Sequence, residues 1–145
     1  MQVILDDIYD VKIFSTIYYI EKLYKLLEER LPEENISHKE MPTFEYHSIF
    51  VKSKPYAQWF AIITDYDTMV GAAYISKNNE VGIQIFEKFK RRGFATDVLA
   101  QLIEISKAME INLYANINPK NEKSIKLFSK FGFNHIQNTY KRDAI

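Results

Sequence analysis

Between Glu80 and Asn118 the hydrophobic period changes from that of a strand to that of a helix and back, and this succession restricts the fold more than any other feature of the chain. Val81, Ile83 and Ile85 alternate with Gly82, Gln84 and Phe86, as in a strand from Glu80 to Phe86. Ala95, Val98, Leu99, Leu102, Ile105 and Met109 then recur at helical steps, which predicts a helix with one buried face. From Ile111 to Asn118 the alternation returns, with Ile111, Leu113, Ala115 and Ile117 on one side and Asn112, Tyr114, Asn116 and Asn118 on the other. Strand, helix and strand in this order predict a βαβ-type crossover between parallel strands.

The rest of the chain surrounds that unit. A strand is expected over Gln2 to Ile8, a helix over Val11 to Glu29 from Ile13, Ile17, Ile20, Leu23, Leu26 and Leu27, and a short helix after Pro42 with Thr43 as its N-cap. Glu33 to Met41 reads as irregular. Strands over Gln58–Ile63 and Met69–Ser76 are separated by the turn-forming Asp65-Tyr66-Asp67-Thr68, and Lys77-Asn78-Asn79 supplies a second hairpin turn. After Pro119, Asn121 caps a helix carrying Ile125, Leu127, Phe128 and Phe131, Gly132 ends it, and Phe133 to Lys141 reads as a last strand. The expected architecture is mixed α/β: one domain over residues 1–145, with a mainly antiparallel central sheet flanked by helices.

Composition removes several classes of function. The chain has 145 residues, 47% of them apolar, with 19 basic and 19 acidic side chains. That suits one folded domain and gives no global attraction to nucleic acid or an anionic membrane. With 0 cysteines, disulfides, thiolate metal sites and cysteine nucleophiles are excluded. No metal site is expected, because His38 and His47 do not stand at ligand spacing. Acids close to the N-terminus argue against a signal peptide, and no apolar run reaches the length of a membrane span, so a cytoplasmic location is expected.

The chemistry is expected where the strand Glu80–Phe86 runs through Glu87-Lys88-Phe89-Lys90-Arg91-Arg92-Gly93 into the best helix. The first N–H groups of a helix lack internal partners and carry the positive end of its dipole, so with nearby cations they suit a phosphate. Taken alone, the same residues also describe a solvated basic turn. Lys90-Arg91-Arg92-Gly93-Phe94-Ala95 resembles the acyl-CoA signature of the GNAT superfamily: Gln or Arg, two residues of any type, Gly, any residue, Gly or Ala. Lys90 departs from that signature. Asn121 to Phe133 resembles the superfamily's C-terminal helix, Asn through Leu-Tyr-x-Lys-x-Gly-Phe, and the resemblance extends over Met69 to Tyr140.

The resemblance implies acetyl-CoA as co-substrate, held in a cleft between splayed parallel strands, Glu80–Phe86 and Ile111–Asn118. Main-chain groups of Ile83, Gln84 and Ile85 would meet the pantetheine and acetyl carbonyl, Arg91, Arg92, Gly93, Phe94, Ala95 and Thr96 the pyrophosphate, and Asn121 the pantetheine arm. The implied reaction is direct attack of a neutral amine on the thioester, and a base is needed because an ordinary amine has a pKa of about 10.4. Glu80 stands where relatives keep a carboxylate, and Asn116 lies on the inward side of the neighbouring strand; a solvent-facing acid and a structural amide are the alternatives. The tyrosine that commonly serves as general acid is replaced by Phe128, leaving Tyr114 and Tyr140 as substitutes, or departure of coenzyme A as thiolate.

His38, His47 and the aromatic residues around them mark the expected acceptor site, with a small-molecule amine as partner. A short Glu-x-His likeness to relatives that acetylate nucleotide-linked amino sugars makes such a sugar the first acceptor. The rival acceptor is a protein N-terminus or lysine, served by Glu28, Glu29, Glu33 and Glu34. A non-catalytic acetyl-CoA-binding module is the reading from another class, and nucleic acid is not expected as a partner. Homodimers are common in the superfamily that the chain resembles, and the sequence does not fix the oligomeric state.

Overall fold

Five strands form one sheet in the order β1-β2-β3-β4-β5: β1 Ile4–Asp7, β2 Gln58–Ile63, β3 Met69–Ile75, β4 Glu80–Ile85 and β5 Tyr114–Ala115. The first four pair antiparallel and β4 pairs parallel with β5, so the expected mixed sheet and its crossover are present. The computed structural model describes residues 3–9, 13–30 and 40–145, without the side chains of 13–17. The helices are α1 Ile13–Glu28, α2 Phe44–Lys52, α3 Phe94–Met109 and α4 Glu122–Lys130, and Glu87–Phe89 makes a 3₁₀ turn.

Strand alternation divides the core into two layers. Ile62, Ile75, Val81 and Ile85 face α3, where Val98, Leu99 and Leu102 meet them. Trp59, Ala61, Ala72 and Phe86 face α1, against Ile20, Leu23 and Leu26. The caps follow the sequence: Thr43 Oγ1 accepts from the Tyr46 N–H at 3.1 Å and Asn121 Oδ1 from the Ser124 N–H at 3.2 Å. Gly132, at φ 89°, takes the left-handed conformation just beyond α4.

Two expected strands are corrected. Only Tyr114–Ala115 of the Ile111–Asn118 segment forms a ladder, pairing with Glu80 and Val81, because beyond that point the segment diverges from β4. Phe133 to Lys141 forms no strand; Phe133 packs edge-on against Phe128 with ring centroids 5.0 Å apart, and the residues beyond it are exposed. Gln2, Val11 and most of the irregular stretch, residues 33–39, lie outside the described residues.

His47 locks α2 onto α1. It is 2% exposed, and its Nε2–H donates to the Ile20 carbonyl at 3.0 Å. Burial pushes its pKa below the ordinary 6.5, with the carbonyl bond opposing this. The unfolded chain therefore binds a proton at a pH where the folded chain does not, so stability should be full above about pH 6.5 and decline as the pH falls towards the lowered folded value. Urea titrations across that window should show the decline for the wild type and less of it for His47→Gln, whose amide donates to the same carbonyl without titrating.

Candidate functional site

A cavity of about 620 Å³ opens where β4 and β5 diverge and continues under α1 and α2. Its cleft end is lined by Gly82, Ile83, Gln84, Asn116, Asn121 and Phe128, with the Tyr74 ring over Gly82, and its other end by Arg30, His47, Tyr56 and Trp59. The divergence of the strands determines what the cleft offers. Glu80 and Phe86 bond to β3, through Ser76 N–H to Glu80 O and Phe86 N–H to Val70 O. By the alternation of an antiparallel ladder, Val81, Ile83 and Ile85 direct their N–H and C=O groups to the opposite edge. Val81 meets Ala115 there, but among the described residues no strand faces Ile83 or Ile85. Backbone donors and acceptors thus point into the gap at the level of Ile83, as an extended amide-bearing ligand requires.

At the C-terminal end of β4 the 3₁₀ turn leads into α3. Gly93, at φ 85°, is the N-cap of α3 and makes no side-chain cap bond, so the first helical N–H groups are not capped by a side chain. An ideal Cβ on Gly93 would meet nothing within 4 Å, which leaves the approach to these groups open. Arg91 is also left-handed, at φ 64°, and the alternation of backbone conformations makes a concave nest suited to an anion. Arg91, Arg92 and Thr96 are exposed and Ala95 is half-buried, whereas the Phe94 ring is committed to the core, leaving only its main chain to a ligand. The loop's cations are already organised. Lys90 and Arg91 pair with Glu87 at 3.1 and 3.6 Å, and Lys88 and Arg92 lie over the Phe89 ring. The Lys90 hydrogen bond, then the Lys90 charge, hold the Glu87 carboxyl below its usual range.

These groups suit acetyl-CoA: uncapped N–H groups for its phosphates, and a backbone edge and cavity for its arm. Gly93→Val should therefore weaken acetyl-CoA binding by about tenfold or more, from the left-handed strain, about 1–2 kcal/mol, plus the obstructed approach. Calorimetric titration with acetyl-CoA checks this; unchanged affinity would place the phosphates elsewhere.

The expected site residues divide as follows. Ile83, Gln84, Asn116, Asn121 and His47 line the cavity. Arg91 to Thr96 stand beyond its wall at the start of α3, and Ile85 is buried in the α3-facing core. The Gln84 amide donates to the Leu26 carbonyl and Glu29 Oε1 accepts from the Glu87 N–H at 2.7 Å, so the end of α1 is tied over β4. Glu80 does not line the cavity, but its carboxylate accepts from the amide of Asn116, which does. Tyr114 is 43% exposed and Tyr140 89%, and neither lines the cavity. His47 reaches the cavity wall, but its Nε2 is spent on Ile20. His38 lies outside the described residues, as do Glu33 and Glu34; Glu28 lines the cavity. Among the described residues no group of three or more acidic or histidine side chains is placed to hold a metal, and no helix is long and apolar enough to cross a membrane.

Aromatic residues that no motif marks build the far wall. Tyr56 stacks on Tyr74 with centroids 3.9 Å apart and planes at 10°, and Trp59 meets Tyr56 edge-on at 4.8 Å. The Tyr9 hydroxyl holds the Tyr56 backbone, donating to its carbonyl at 3.2 Å and accepting from its N–H at 3.0 Å. Burial is the first cause raising the pKa of both Tyr56 and Tyr74, and it outweighs the lowering effect of Arg30, so both hydroxyls stay protonated.

A family model described as FR47-like protein matches residues 61–142, more than half of the chain. No curated protein matches. Among solved structures, the dodecameric spermidine N-acetyltransferase of Vibrio cholerae superposes with a TM-score of 0.74 at 14% identity, covering 99% of this chain and 86% of that one. A domain from Methanocaldococcus jannaschii gives 0.74 at 21% identity over 95% and 92% of the two chains. An N-acetyltransferase from Staphylococcus aureus gives 0.70 at 18% identity over 94% and 86%. At these identities the likeness is one of fold, and the fold is that of GNAT acetyltransferases.

Proposed function

The chain belongs to the FR47-like protein family, and from that premise we propose that it is an acetyl-CoA-dependent N-acetyltransferase that acetylates a small primary amine by direct attack. The observation that carries this is the cleft between β4 and β5: it presents the unpaired edge of Ile83, leads at one end to the uncapped start of α3, and opens at the other into an aromatic-walled cavity. Acetyl-CoA, when bound, supplies the thioester as acyl donor. The Ile83 N–H polarises the carbonyl, the main chain of Arg91 to Thr96 holds the diphosphate, and Asn121, whose Oδ1 caps α4, offers its amide nitrogen to the pantetheine. Glu80, oriented by Asn116, takes the ammonium proton directly or through water. The domain acts as one catalytic unit, in the cytoplasm, without metal.

The acceptor that the cavity favours is an amino sugar carried on a nucleotide, because Tyr46, Tyr56, Trp59 and Tyr74 offer the flat apolar faces that sugars and bases pack against. Glu28 and Glu40 in the same wall support a second reading, a polyamine, which is also the class named for the Vibrio cholerae structure. Mass spectrometry of acceptors incubated with protein and acetyl-CoA separates them. Acetylation of an amino-sugar nucleotide in preference to spermidine supports the first reading, and the reverse preference overturns it.

A further inference from the structure

The proposed reaction ends with a sulfur atom leaving as an anion, and a buried cleft needs a donor for that charge. Phe128 lines the cleft as hydrocarbon. Three tyrosines line the cavity: Tyr46, Tyr56 and Tyr74. Tyr46 is 67% exposed, on α2. Tyr56 packs as the outer ring of the stack against Trp59 and Tyr74.

Tyr74 is placed differently. It sits opposite Gly82 in the β3–β4 register, and its ring crosses β4 at that residue. A Cβ on Gly82 would lie 2.1 Å from Tyr74 Cε2 and 2.7 Å from its hydroxyl oxygen, so the ring occupies the space a side chain would take. A ring that starts on β3 and ends over β4 carries its hydroxyl towards the gap with β5, one residue from the outward-facing Ile83 N–H. Glu80, on the same face of β4, is close enough to act on the hydroxyl electrostatically.

We infer that Tyr74 is a catalytic residue whose hydroxyl donates a hydrogen bond to the departing sulfur of coenzyme A, in the space left by Gly82. The inference rests on the acetyltransferase reading. The ammonium proton passes through Glu80 or its water to solvent before attack; as the neutral amine nitrogen bonds to the acetyl carbon, the C–S bond breaks and its electron pair passes to sulfur, the second proton released from nitrogen goes to Glu80 or its water, and the thiolate takes a solvent proton on release. Burial keeps the phenol protonated, which suits a hydrogen-bond donor to thiolate better than a full proton transfer, because a thiol is the stronger acid.

Tyr74→Phe keeps the ring and its stack and removes the donor. It should lower kcat about 100-fold, the usual scale for one lost donor to developing charge, with the KM for acetyl-CoA unchanged. A second readout needs no turnover. Because the chain has 0 cysteines, the only thiol present is that of coenzyme A, and with protein in excess and the tyrosinate signal of protein alone subtracted, thiolate absorbance reports the bound form. Tyr74→Phe should raise the pKa of that bound thiol by about 1. An active wild type whose kcat and bound-thiol pKa are both unmoved in Tyr74→Phe overturns the inference and leaves the acetyltransferase reading intact. A wild type that binds no coenzyme A overturns both.

Discussion

Glu80→Gln should lower kcat for acetyl transfer by about 100-fold while acetyl-CoA affinity changes by less than about twofold. Glu80 is half-buried at the first residue of β4, opposite Tyr114 in the parallel register, and accepts from the Asn116 amide. Glutamine keeps the volume and an acceptor oxygen for Asn116, so the β4–β5 junction is preserved and the loss is confined to charge and basicity. The acceptor amine is almost fully protonated near neutrality, with a pKa of about 10.4, and without a carboxylate its proton has no fixed destination. Raising the pH supplies neutral amine from solution, so the deficit should shrink in alkaline buffer. Steady-state kinetics over a pH series, with calorimetric acetyl-CoA titrations beside it, measures both parts. A variant with wild-type kcat would leave Glu80 only as the residue that orients Asn116.

Gly71→Ala should cost about 3 kcal/mol of stability and lower Tm by roughly 10 °C. An ideal Cβ at this position would lie 2.2 Å from the Gln84 carbonyl oxygen and 3.0 Å from the Ile85 Cα. The obstacle is main chain at the centre of the sheet, where Gly71 pairs with Ile85, so relief requires β3 and β4 to separate. Gly82 presents the opposite case. There the obstacle is the Tyr74 ring, which a rotamer change moves aside, so an added methyl displaces that ring more than it unfolds the sheet. Thermal melts of the two alanine variants, with acetyl-CoA kinetics on the folded one, distinguish these outcomes; equal Tm losses would mean that the ring cannot move.

What could be read from the sequence was whatever local chemistry determines. Helices α3 and α4 were legible because their apolar steps, the capping Asn121 and the terminating Gly132 all lie within a few residues. Both hairpins followed from turn residues between alternating segments. The length of β5 was not legible, because alternation records which face a residue presents and says nothing about whether another strand runs alongside. The same limit accounts for Phe133 to Lys141, whose strand-like composition finds no ladder.

The cofactor end of the candidate site was legible as a motif, since a strand, a basic loop and a helix start are contiguous in sequence. The acceptor end was not, because it is assembled across the sheet. Tyr74 reaches the cleft only through its register with Gly82, and Tyr56 is fixed by Tyr9, 47 residues away. One signal was available: a lone glycine inside a strand marks a place where something approaches closely, and counting back through the Lys77–Asn79 turn pairs Gly82 with Tyr74. His47 reads as a ligand residue from its polar, aromatic neighbourhood, yet its Nε2 is occupied by Ile20, a partner on another helix that sequence does not reveal.

The most direct test of the central claim is amine-dependent release of coenzyme A, followed with a thiol reagent to which the cysteine-free protein contributes nothing. Acetyl-CoA is supplied with amino-sugar nucleotides, polyamines, amino acids and basic peptides in turn. The account predicts release with a small primary amine, in proportion to protein and abolished when the amine is omitted. Acetyl-CoA that binds and is never turned over by any amine would contradict it and make the fold a binding module.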